Sequence, residues 1–76
     1  MLIQFWHGYN EPLAQKIKDA ALDFSVTNVT NSSGHKALEF NGTLSELHEL
    51  IPDVPMMLLP NVDGVFVTQF RNFGQR

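Results

Sequence analysis

The stretch Asp53–Phe70, DVPMMLLPNVDGVFVTQF, constrains this chain more than any other. Met56, Met57, Leu58 and Leu59 are apolar without a break, which predicts a strand covered on both faces. Pro60, Asn61, Asp63 and Gly64 are turn formers, and Asp-Gly favours a hairpin. A second strand over Val65–Phe70 then sends Val65, Val67 and Gln69 one way and Phe66, Thr68 and Phe70 the other. Both sets are mostly apolar, so this strand too is expected to have something packed on each side. Pro55 fits the start of the first strand, where no ladder donor is needed.

The elements before the hairpin follow from spacing. Leu2, Ile3, Phe5 and Trp6, interrupted by Gln4, predict a short buried strand, broken by His7-Gly8-Tyr9-Asn10. Asn10 is a good N-cap, and Glu11 and Pro12 suit a first helical turn. Leu13, Ile17, Ala20, Ala21 and Phe24 recur at helical spacing, which predicts a helix from about Glu11 to Leu22. Phe24 to Thr30 is β-rich, so strand, helix and strand suggest a right-handed βαβ unit with parallel strands. Asn31–Lys36 is a polar loop, and Ala37–Phe40 fits either a short strand or the lead into a helix. Thr43 and Glu46 form a capping box for a short helix with Leu44, Leu47, Leu50 and Ile51 on its apolar side, stopped at Pro52. The conformation of Asn31–Gly42 is left open. The last six residues, Arg71–Arg76, read as a fraying tail.

Seventy-six residues make one domain over 1–76. A net charge of −3 gives no electrostatic pull toward nucleic acid or an anionic membrane. No apolar run approaches the ~20 residues of a membrane span. Met1 leads straight into Leu2–Trp6 without a basic segment, so no signal peptide is expected and the reading is a cytoplasmic protein. The sequons at Asn28, Asn31 and Asn41 are then turn composition rather than glycosylation sites. Cysteine is absent, which excludes disulfides, thiolate nucleophiles and thiolate metal sites. His7, His35 and His48 fall in separate segments without the i,i+4 spacing of a helical metal site. No phosphate loop or serine-nucleophile motif is present. Neither a cofactor, a metal nor an enzymatic activity is therefore expected.

Two stretches together resemble the thioredoxin/glutaredoxin-like superfamily. Phe5-Trp6-His7-Gly8-Tyr9-Asn10-Glu11-Pro12-Leu13 is similar to its F-W-A-x-W-C-G-P-C motif. Phe5, Trp6 and Pro12 match it, and Tyr9 stands at the second aromatic. Ile51-Pro52-Asp53-Val54-Pro55-Met56-Met57-Leu58-Leu59, followed by Asp63-Gly64 and Phe73-Gly74, is similar to its I-R-G-[IV]-P-T-L-L-L, N-G and final glycine loop. The resemblance implies a truncated, minimal thioredoxin-like α/β fold: a four-stranded mixed sheet in the order β-α-β-α-β-β, with a helix on each face. The likeness begins at the family's central strand and ends before its closing helix. Trans is the default for an X-Pro bond, whereas the family's proline is cis, so the resemblance favours a cis Val54–Pro55.

The departures decide the chemistry. Asn10 and Leu13 stand where the two family cysteines would be, and neither can attack or resolve a disulfide. Gln4 replaces the family's buried aspartate. The expected function is a redox-inactive module that binds a protein partner through the His7–Asn10 loop and the Pro55 groove. Val54 would supply a backbone edge, and Trp6, His7, Gly8, Tyr9, Asn10, Leu13, Pro55 and Met56 would line the groove. One alternative is a small viral (phage) protein that blocks or recruits a host factor in the host cytoplasm. Another is an enzyme on the same fold that binds glutathione, or a metal through His7. Two helices over four strands leave apolar surface near Phe66, Phe70 and Phe73, so a homo-oligomer through these residues is a further expectation.

Overall fold

The computed structural model describes residues 1–6, 8–59 and 63–68. Its elements are β1 (Leu2–Phe5), α1 (Glu11–Ala20), β2 (Val26–Thr30), β3 (Lys36–Phe40), α2 (Leu44–Leu50), β4 (Met56–Leu58) and β5 (Gly64–Val67). The strands form one mixed five-stranded sheet in the order β2-β3-β1-β5-β4. Among the described residues only β1 and β5 are parallel neighbours; β2–β3, β3–β1 and β5–β4 are antiparallel. The hairpin expected around Asp63-Gly64 is present as β4 and β5, with residues 60–62 and 69–70 outside the described set.

Both helices start where their caps predict. The Asn10 side chain accepts the Leu13 N–H at 3.0 Å, and Pro12 lies in the first turn of α1. Thr43 and Glu46 exchange both capping-box bonds, Glu46 N–H to Thr43 Oγ1 at 3.2 Å and Thr43 N–H to Glu46 Oε1 at 2.8 Å. Helix α1 ends before Leu22. The Ala21 N–H still bonds the Ile17 carbonyl, but the Ala21 backbone has left helical geometry, and Leu22 is 83% exposed.

Several expectations are corrected. First, the sheet has five strands, not four: the ambiguous Ala37–Phe40 is part of β3. A tight loop returns the chain from β2, with Asn31 N–H bonded to the His35 carbonyl and the Asn31 side chain accepting the Ser33 and His35 N–H groups. Gly34 takes φ +87° there, a conformation that a side chain disfavours.

Second, β1 and β2 run parallel but are not neighbours, because β3 sits between them as in a split βαβ. Composition assigns the places. β3 fully buries Ala37, Leu38 and Phe40 and needs a central position, whereas β2 (VTNVT) buries no residue completely and can serve as an edge.

Third, the two helices lie on the same face. Register puts Ile3, Leu38 and Val65 side by side, with Phe5, Phe40 and Val67 on that same face. These join Leu13, Ala14, Ile17 and Ala21 of the α1 region and Leu47, Ile51 and Val54 of the α2 region in one core. The opposite face carries Leu2, Gln4, Met57 and Phe66, and no helix among the described residues covers it.

Fourth, β4 is not covered on both sides. It is a three-residue edge strand in which Met57 is 38% and Leu58 64% exposed. The described residues contain no cis peptide bond, so Val54–Pro55 is trans, against the isomer that the resemblance favoured.

Candidate functional site

The carboxyl ends of the parallel pair β1 and β5 open toward the start of α1, and the chain concentrates its aromatic and cap residues there. Trp6 extends β1 by one step, its N–H bonded to the Val67 carbonyl at 2.9 Å. Its indole meets Phe66 edge-on, with centroids 5.3 Å apart, and is 38% exposed. Gly8 turns the chain at φ +98°, a value that few other residues adopt without strain. That turn delivers Tyr9, half-buried, to the edge of the Phe5 ring at 4.9 Å, with the Lys36 ammonium 5.4 Å from the Tyr9 ring centroid.

Phe5, Trp6, Gly8 and Tyr9, with Asn10 to Leu13, Val67 and Thr68, line a cleft of about 410 Å³. A smaller hollow of about 220 Å³ adjoins it, lined by Pro12, Leu13, Lys16, Asp53, Val54 and Thr68. Grooves outside the carboxyl ends of parallel strands are a recurrent place for ligands in α/β sheets.

Electrostatics here are set by a few groups. Burial raises the Tyr9 hydroxyl above the ordinary phenol value, and the charge of Glu11 and a hydrogen bond to it push the same way. Lys16 Nζ donates to Asp53 Oδ2 at 2.6 Å across the small hollow. That bond, a backbone hydrogen bond and the Lys16 charge hold the Asp53 carboxyl below its usual value, against a weaker desolvation effect. The Asn10 amide oxygen is committed to its cap. It serves there as a structural group.

The expected site residues divide. Trp6, Gly8, Tyr9, Asn10 and Leu13 converge on the main cleft. Val54 lines the neighbouring hollow and is buried, and its N–H is bonded to the Ile51 carbonyl at 3.1 Å, so it does not present a free donor to a visiting strand. Pro55 is half-buried, and its carbonyl accepts the Thr68 N–H at 3.3 Å. Met56 lies apart, lining a depression with Leu44, Ser45, His48 and Glu49. His7, Phe70 and Phe73 lie outside the described residues.

Sequence reasoning missed Lys36, Thr68, Lys16 and Asp53 as neighbours of the site. Lys36 arrives only because β3 enters the sheet, and the Lys16–Asp53 pair spans 37 positions that no local pattern links. Among the described residues no three His, Asp or Glu side chains gather as a metal site, and no helix is long and apolar enough to cross a membrane. No family model, curated protein or solved structure matches this chain.

Proposed function

We propose that this protein is a binding module that does no thiol chemistry and takes a short segment of another protein into the cleft at the carboxyl ends of β1 and β5. One observation carries the reading: Trp6, Gly8, Tyr9, Asn10 and Leu13 share the walls of one open cleft, two of them large aromatics. Tyr and Trp dominate protein-binding surfaces because they bring wide apolar area and one polar handle at small entropic cost. The backbone around Val54 and Pro55 is already hydrogen-bonded within the fold. The occupant is therefore held by side chains entering the cleft rather than by strand pairing at Val54.

The test is selection of peptides by phage display against the immobilised chain, followed by NMR mapping of the winners. Shift changes should centre on Trp6, Gly8, Tyr9 and Leu13. Tyr9→Ala should weaken binding roughly 30-fold, the equivalent of losing one aromatic hot spot of ~2 kcal/mol. Peptides that map to another surface, or that bind Tyr9→Ala as well as the wild type, would overturn the proposal.

A further inference from the structure

We propose that the outer edge of β2 pairs with the same edge of a second copy of this chain, antiparallel and centred on Asn28. The bond pattern of the β2–β3 hairpin fixes which groups face outward. Asn41 N–H bonds the Ser25 carbonyl and Asn31 N–H the His35 carbonyl. In an antiparallel ladder bonded pairs alternate, so Thr27 and Val29 bond to β3 through Glu39 and Ala37. The N–H and C=O groups of Val26, Asn28 and Thr30 therefore point away from the sheet, and among the described residues they have no partner.

The two edges of the sheet are protected differently. β4 is three residues long and follows directly on Pro55, with Pro52 just before, features that discourage strand addition. β2 is five residues long, and the run Ser25–Gly34 contains no charge and no proline. An edge without charge, proline or bulge is a template for another strand.

Self-pairing is the occupant that this edge fits. A two-fold axis through Asn28 sets Val26 opposite Thr30 of the mate, Thr27 opposite Val29, and Asn28 opposite Asn28. The outward-facing pairs are then the ones that exchange bonds, about six in all. β-branched residues face β-branched residues, and amide faces amide, contacts that favour strand pairing. Neither paired strand carries a charge. Lys36 and Glu39 sit on β3, one strand in from the interface on each side, so equivalent strands of the two copies lie about 14 Å apart at ~4.8 Å per strand step. The result is one continuous sheet with the helices of both copies on the same side. Of the cleft residues, Tyr9 and Glu11 also border β2, in a hollow with Asn28, Val29 and Thr30, whereas Trp6, Gly8 and Leu13 do not; peptide shifts at Trp6, Gly8 and Leu13 therefore report on the cleft apart from this pairing.

Asn28 is exposed, so replacing it leaves the fold intact. Sedimentation equilibrium of the full chain at low ionic strength should show twice the 8.6 kDa mass. Asn28→Lys and Asn28→Asp should each weaken self-association at least ~10-fold, because identical charges then face each other across the axis. An equimolar mixture of the two variants should restore the dimer, which only a residue opposite itself can do. Circular dichroism melts confirm that each variant is folded. A wild type that stays at 8.6 kDa up to millimolar concentration would overturn the proposal. So would a charged variant that dimerises unchanged, a mixture that fails to reassociate, or β2 amides protected only when a foreign peptide is added.

Discussion

Gly64→Ala tests the packing that holds the parallel pair together. Gly64 opens β5 and lies opposite Leu2 of β1. A Cβ placed there would sit 2.6 Å from the Leu2 carbonyl oxygen, 3.1 Å from Leu59 Cδ1 and 3.3 Å from Leu2 Cβ. The Leu59 methyl can swing aside, but the Leu2 oxygen is backbone within the sheet and can move only if β1 moves. Forcing a methyl into such a contact costs about 1–3 kcal/mol. Against that, alanine restricts the unfolded chain and returns about 0.4–1 kcal/mol. At the centres of these ranges the clash wins by about 1.3 kcal/mol, which for a domain this size lowers Tm by roughly 5–10 °C. Thermal and urea melts followed by circular dichroism measure it. Amide exchange should also speed up at the adjoining Leu2 N–H, which bonds the Asp63 carbonyl at 3.0 Å. A Gly64→Ala protein as stable as wild type would mean that the β1–β5 spacing is looser than these contacts imply, and the argument would fail.

Ile17 is fully buried under α1, so Ile17→Ala should cost about 2–5 kcal/mol in a urea melt. Thr43→Ala removes one half of the capping box and should cost about 1 kcal/mol by the same assay. The folded Asp53 carboxyl binds its proton less readily than the unfolded one. Its contribution to stability is therefore present above the ordinary carboxylate range and fades as pH falls through the lower folded value. Melts across acid pH should show that decline flattened in Asp53→Asn. The Tyr9 phenol is shifted the other way, and its proton is lost later in the folded state. Stability should be unaffected by this group below the free phenol value of ~10 and fall above it. Ultraviolet titration should place its midpoint above that of free tyrosine, and Glu11→Gln should bring the midpoint down.

Local signals in this chain were legible because they are local. A cap binds a donor three residues on, and so Asn10 and the Thr43–Glu46 box located both helix starts. The β4–β5 hairpin announced itself through Asp63-Gly64 between apolar runs. The site was legible in part for the same reason: Trp6, Gly8, Tyr9 and Asn10 are neighbours in sequence, and one turn gathers them. What the pattern could not supply was placement across the sheet. Lys36–Phe40 is too short to separate strand from helix by period alone, and missing it displaced β2 by one position. Apolar residues on both faces of β5 were read as requiring a helix on each side. Phe66 instead packs its edge against Trp6 on the face without helices.

The face that no helix among the described residues covers is not uniform. Across β2 and β3 it carries Thr27, Val29, Ala37 and Glu39, and next to them Gln4 of β1 accepts a hydrogen bond from the Asn31 amide. Thr27 and Glu39 are exposed there and Ala37 is buried, so little apolar area is left for a second layer to cover. Across β1, β5 and β4 the same face carries Leu2, Phe66 and Met57, with Trp6 at the end. The cleft lies at this apolar end, where Trp6 belongs to the face without described helices and Tyr9 and Leu13 to the helix-covered one. A segment held there would touch both sides of the sheet at its rim. Trp6→Ala should then cost binding as Tyr9→Ala does while lowering stability by only about 1 kcal/mol, its edge-on contact with Phe66, because the side chain is partly exposed rather than fully buried. A Trp6→Ala protein that binds selected peptides normally would confine the site to the helix side.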